Sequence, residues 1–239
     1  MNDQVLNQQY NPEIPYLWSY NLDIAGTYII TIEGNEKSQE LAKRCKESCE
    51  EVGQPLVEYA AAFDGTKDGI VKVPNYYKGA PWLKWIKLYT DVLSPTQIAV
   101  YYSHFALWCR CLEMDQPIVI LEHDAVMVKS FPSMPVYNSI VYLGSSEQYK
   151  DGNGVYNIPP HGTAESGRNR FICRAHAYAI DSAIAKNLIS HTIKYGITTS
   201  LDVHIRSDLF PITQFGLYAY DDYDGSTIHK DWKYLEKGL

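Results

Sequence analysis

Residues 117–121 read Pro-Ile-Val-Ile-Leu, and Glu122, His123 and Asp124 follow without a break. No other feature limits the possible folds as much. Four large apolar side chains in succession leave a strand no polar face. Such a strand must be covered on both sides, as in a sheet with helices on both faces. The polar triplet begins where that strand would end, and open α/β sheets bind ligands at the carboxyl ends of their strands.

Flanking segments extend this into an α/β fold. Residues 27–32 form a β-branched run of strand length between Gly26 and Gly34. Residues 36–52 read as an exposed helix ending near Gly53, and residues 55–63 as a second strand running into the turn Asp64-Gly65. Strand, helix, strand is the opening of a parallel sheet. Ser94, Pro95 and Gln97 carry the signature of a capped helix start, and Tyr101, Phe105, Trp108 and Leu112 follow at helical spacing as a buried stripe. Residues 139–143 and 175–180 are further strands. A helix capped by Asp181 or Ser182 runs to about Tyr195 and stops at Gly196. Residues 147–170, with four glycines, two prolines and no apolar period, read as a long loop. The expected organisation is a single domain over residues 23–220, an N-terminal extension over 1–22 and an irregular tail over 221–239.

Composition excludes several classes. A chain of 239 residues suits one domain, and 46% hydrophobic with 21% charged residues describes a globular protein. The net charge of −7 argues against a protein that coats nucleic acid, although a local basic patch could still bind it. No apolar run approaches the ~20 residues of a membrane span, and the polar start lacks a signal peptide's arrangement. The five cysteines are odd in number. Cys45 and Cys49 are spaced as helix neighbours, with no second pair at zinc-like spacing. Reduced thiols in a cytoplasmic protein are the simplest account, the host cytoplasm if a phage encodes the chain.

Two acids within three residues suit a hard divalent cation, Mn²⁺ or Mg²⁺, with positions left for phosphate. The plainer alternative is that Glu122 and Asp124 begin an exposed loop. Between residues 67 and 93, lysines alternate with aromatics, among them Tyr76, Tyr77, Trp82 and Lys84. One reading is an acceptor surface where rings stack on a sugar or base. The other is a loop and short helix with snorkelling lysines over a partly buried aromatic cluster. Arg168 and Arg170 could close over an anionic ligand or be solvated.

The Ser-Pro-Thr-Gln helix start, the pair Ser103-His104, Trp108 and the stretch from Val119 through Glu122-His123-Asp124-Ala125 to Val126 resemble glycosyltransferase family 25. That family includes lipopolysaccharide and collagen galactosyltransferases. The likeness runs, with gaps, over about residues 27–205. The family's pattern has Glu-Asp-Asp-Ala where this chain has His123 in the middle. The resemblance implies a GT-A-like nucleotide-sugar-binding domain with a mixed, mostly parallel sheet flanked by helices. It also implies an inverting, metal-dependent transferase using a nucleotide diphosphate sugar, uridine favoured, with a saccharide acceptor. By the same likeness Asp124 is a direct metal ligand, and Glu122 meets metal or donor. His204 completes the metal shell, and Asp202 is the general base or orients a ligand, unless it only caps a helix. Thr31, Ile32, Glu33, Phe63 and Asp64 line the nucleotide edge. Ser103 and His104 match the family's Ser-His pair near the donor; His104 orients the metal loop, contacts donor phosphate or packs the helix. His123 could ligate, touch the donor or point away. Other functions stay open. Some phage enzymes add arabinose or glucose to hydroxymethylcytosine in DNA, and a metal-dependent hydrolase or a sugar-binding module without catalysis could reuse the fold.

Overall fold

The structure is a computed structural model, and it describes residues 22–65, 71–88, 93–145, 172, 175–213 and 216–221. In chain order the elements are β1 (Leu22–Asp23), β2 (Gly26–Thr31), α1 (Glu36–Glu51), β3 (Val57–Ala61), β4 (Asp64–Gly65) and β5 (Val71–Lys72), then single 3₁₀ turns at Asn75–Tyr77 and Pro81–Lys84. Next come α2 (Pro95–Met114), β6 (Ile118–Glu122), β7 (Ala125–Met127), β8 (Ser133–Met134), β9 (Ile140–Tyr142) and β10 (Gly144–Ser145). β11 (Ala177–Ile180), α3 (Ser182–Tyr195), α4 (Leu201–His204), β12 (Ile212–Thr213) and β13 (Ala219–Asp221) complete the set.

The fold is mixed α/β, with a six-stranded sheet in the order β12-β9-β11-β6-β2-β3. β6 is central, parallel to β2 and antiparallel to β11. Five strands point one way and β11 alone runs against them. Ile118, Val119, Ile120 and Leu121 are each completely buried, as a strand covered on both faces requires. Alternate β6 side chains feed two cores. Ile118 and Ile120 join Tyr101, Phe105 and Trp108 of α2, while Val119 and Leu121 join Ala42, Cys45 and Cys49 of α1. Four cysteines, Cys45, Cys49, Cys109 and Cys111, are free thiols.

Local chemistry fixes the helix ends. Ser94 and Gln97 close a full capping box on α2, Asn35 caps α1 through the Ser38 N–H, and Asp181 caps α3 through the Ile184 N–H. Leu112, expected in the buried stripe of α2, is 37% exposed, while Cys111 is fully buried. The inward positions run Tyr101, His104, Trp108, Cys111, so the buried face advances by three, four and three residues and passes over position 112. The segment read as a turn at Asp64-Gly65 is the first arm of a hairpin with β5. A Cβ on Gly65 would overlap the backbone of Pro95 and Thr96, so glycine is what lets this hairpin rest on the start of α2. Asp221, read as tail, ends β13, which pairs with β7. The loop read over 147–170 lies outside the described residues. No helix among the described residues is long and apolar enough to cross a membrane.

Candidate active site

β6 ends at Glu122, whose backbone N–H donates to the His176 carbonyl at 2.8 Å. Its carboxylate Oε1 lies 3.3 Å from Nε2 of His104 on α2. His104 Nδ1 is 2.8 Å from the Tyr178 hydroxyl on β11, and the Trp108 indole N–H donates to that same hydroxyl at 2.9 Å. Burial pushes the His104 imidazole down to about 3, so it is neutral and its contact with Glu122 is a hydrogen bond rather than an ion pair. Burial raises the Glu122 carboxyl to about 7; His176 draws it back, while the charges of Asp202 and Asp221 push it further up. Three carboxylates from β6, α4 and β13 therefore share one electrostatic neighbourhood.

Each partner is held by its own element. Asp202 lies in the first turn of α4, where its Oδ1 accepts from the Ser200 hydroxyl at 2.6 Å. Ser200, not Asp202, is the N-cap. Asp221 is buried opposite Ala125 of β7. His176 is buried with its ring edge-on to Tyr142, against Gly144, where any Cβ would overlap the imidazole. His123 and Asp124 form the tight turn between β6 and β7, and both are buried. The Asp124 charge acts on the Cys45 thiol, which its hydrogen bond with Cys49 and then burial hold well above its ordinary range. His123 Nδ1 sits 3.4 Å from the Ser38 hydroxyl, which also accepts from the Ile32 N–H at 3.0 Å. Ser38 thus ties the end of β2, the start of α1 and the acidic turn together. Burial first, and Lys37 second, lower His123 to about 4.

A cleft of about 190 Å³ opens beyond the ends of β2 and β3, lined by residues that include Ile32, Glu33, Ala62, Asp64, Lys72 and Asn75. It gathers three of the residues expected at the nucleotide edge. Thr31 is half-buried and donates to the Ile29 carbonyl at 3.2 Å. The Phe63 ring instead stacks on Tyr77 at 5.3 Å, while its N–H donates to the Ser103 hydroxyl at 2.9 Å. Ser103 donates in turn to the Ala99 carbonyl, so it pins the end of β3 to α2.

Among the residues expected at the acceptor, Tyr77 and Trp82 are half-buried in an aromatic cluster with Phe63 and Phe105, as the plainer reading of that stretch had it. Tyr76 is 76% exposed, and Lys84 is exposed at the end of a 3₁₀ turn. Arg168 and Arg170 lie outside the described residues. The His204 imidazole packs among Tyr101, Trp108, His191 and Phe210. Burial lowers it to about 3, and the charges of His191 and Arg206 act in the same direction. Among the described residues, no three His, Cys, Asp or Glu side chains converge tightly enough to form a ready metal-holding group. Sequence reasoning missed His176, Tyr178 and Asp221 as site residues. The lone histidine before the 177–180 strand and the aspartate ending residues 219–221 carried no motif.

A buried central strand delivering acids to the carboxyl edge of a mixed sheet puts them where open α/β sheets bind their ligands. The model of glycosyltransferase family 25 (LPS biosynthesis protein) matches residues 81–205, just over half of the chain and the part that holds α2, β6 and α4. The chain belongs to glycosyltransferase family 25, and it is a glycosyltransferase. A comparison with curated proteins gave no match.

Proposed function

We propose that the chain moves a sugar from a nucleotide diphosphate sugar, most simply a uridine diphosphate sugar, to the hydroxyl of a saccharide with inversion at the anomeric carbon. The observation that carries this reading is that Glu122, at the end of β6, feels the charges of Asp202 and Asp221, with Asp124 in the adjoining turn. In this reading the domain is GT-A-like, the cleft at Ile32, Glu33 and Asp64 takes the nucleotide, and Asp202 is the base that accepts the acceptor hydroxyl's proton. The donor set fits a hard cation. Oxygen ligands dominate, and the repulsion from Asp202 and Asp221, which adds to burial in raising Glu122, is what a divalent ion would relieve. Asp124 would hold Mn²⁺ or Mg²⁺ directly, with Glu122 reaching it through water. Such an ion supplies neutralisation of the departing diphosphate. The free thiols Cys45, Cys49, Cys109 and Cys111 support a cytoplasmic setting.

Mass spectrometry of products from a panel of uridine diphosphate sugars, Mn²⁺ and saccharide acceptors tests this. Asp124→Ala is expected to lower turnover by roughly a hundredfold or more while circular dichroism stays unchanged. A near-normal rate in that variant refutes the role given to Asp124. Sugar binding without turnover or metal dependence would identify a binding module instead.

A DNA acceptor is the second reading, and one observation favours it. Described residues 71–88 carry Lys72, Lys78, Lys84 and Lys87 with no acidic residue, beside exposed Tyr76 and Trp85, on a chain of net charge −7. Four phosphate contacts would cost about a hundredfold in affinity between about 50 and 200 mM salt. Hydroxymethylcytosine duplex whose binding shows that slope, and which gains sugar mass, would decide for DNA. Salt-insensitive activity on saccharides would decide against it.

A further inference from the structure

A chain of three hydrogen bonds runs from Trp108 to Tyr178, from Tyr178 to His104 and from His104 to Glu122, and it bears on where the hydrogen of His104 lies. An indole N–H can only donate, so the Tyr178 oxygen accepts from Trp108 at 2.9 Å. Burial holds the phenol well above its ordinary range, so it keeps its own hydrogen. Tyr178 is completely buried, and His104 Nδ1 stands 2.8 Å from its hydroxyl, the partner within reach of the phenol hydrogen. A neutral imidazole has one N–H and one lone pair. If Nδ1 accepts from the phenol, the hydrogen is on Nε2, facing Glu122 Oε1 at 3.3 Å. The imidazole and phenol rings stack at 5.6 Å and 12°, and His104 has no exposed surface, so a ring flip would have to displace packed neighbours.

We propose that Tyr178, itself oriented by Trp108, is a positioning residue that locks His104 in the Nε2–H tautomer and so keeps a hydrogen-bond donor aimed at the Glu122 carboxylate. Tyr178 touches neither donor nor acceptor, and its effect passes wholly through His104. The consequence for turnover rests on the transferase reading above; the tautomer does not.

The two are therefore measured separately. In the ¹⁵N-labelled full chain, long-range proton–nitrogen correlations assign the His104 ring nitrogens, with His104→Gln identifying the signal. The wild type is expected to show Nε2–H with an unprotonated Nδ1. Tyr178→Phe is expected to populate Nδ1–H. Trp108→Phe, which leaves the phenol to donate alone, is expected to keep Nε2–H. An Nδ1–H wild type, or an unchanged pattern in Tyr178→Phe, overturns the proposal. Should Tyr178→Phe fail to fold, the wild-type spectrum alone decides.

With uridine diphosphate sugar and Mn²⁺, Tyr178→Phe is expected to lower kcat roughly 10- to 100-fold with a smaller change in donor KM. In the His104→Gln background, the side-chain amide offers an N–H toward Glu122 without help from Tyr178. The same phenol deletion is there expected to cost less than about twofold. An equal cost in both backgrounds would mark Tyr178 as structural only and overturn the proposal. A wild type inactive on every donor would count against the transferase reading and leave the tautomer result standing.

Discussion

Glu122→Gln gives a pH-dependent stability difference that can be worked from the site. The carboxyl rises from 4.5 to about 7 on folding, chiefly because it is buried. Between those values the folded chain holds a proton that the unfolded chain has released, so stability falls as pH rises through the window. The gap between those two values, at about 1.36 kcal/mol for each tenfold change in proton affinity, is roughly 3 kcal/mol. With 20% of the side chain exposed, solvent screening trims this only modestly. Glutamine keeps the shape and cannot ionise. The variant should match the wild type near pH 4.5 and exceed its stability by roughly 2–3 kcal/mol near pH 8. Urea unfolding at a series of pH values, in metal-free buffer, measures the difference. His104 and His204, both lowered to about 3, act in the opposite sense: they remove stability as pH falls below their unfolded range of 6.5. Both remain in the variant, so the subtraction cancels them. Saturating Mn²⁺ should restore the wild type more than the variant, since an ion that binds the folded carboxylates stabilises by mass action. A wild-type-minus-variant difference that is flat with pH would refute the account of Glu122.

Two further perturbations test how the site is mounted. Ser103→Ala leaves the buried Phe63 N–H without its acceptor and should cost roughly 1–3 kcal/mol in urea unfolding, with weaker nucleotide binding by calorimetry because Asp64 lines the cleft one residue on. Gly65→Ala drives a Cβ into the backbone of Pro95 and Thr96 and should lower Tm by several degrees in a thermal scan, the result of about 1–3 kcal/mol of overpacking.

The features legible in the sequence are those whose cause is local. A strand covered on both faces has no polar alternation, so residues 118–121 announced themselves, and the caps at Ser94 and Asp181 are set by side chains within three residues of the atoms they bind. What stayed hidden depends on partners distant in the chain. Ala177–Ile180 has the same apolar character whichever way it runs, and only its pairing with β6 and β9 makes it the reversed strand. Asp221 is an aspartate after a tyrosine until β13 lies along β7 and places it by the acidic turn. His176 becomes a neighbour of Glu122 only because Gly144 leaves room for its ring.

The pair Ser103-His104 lies between these cases, and it explains why a helix belongs to this site at all. The two residues are adjacent, so on α2 they point about 100° apart. Ser103 receives the N–H of Phe63 just past β3, and His104 meets Glu122 at the end of β6. β3 and β6 are not neighbours; β2 lies between them, so the strand ends are about 10 Å apart. One dipeptide therefore straddles the middle strand and fixes the cleft on one side relative to the carboxylate on the other. A rotation of α2 by a single residue would release both contacts together. The nucleotide edge and the acidic edge are in this sense one mechanical unit, set by the packing of α2 on the sheet, and the capping box at Ser94 and the close approach of Gly65 hold that packing in register.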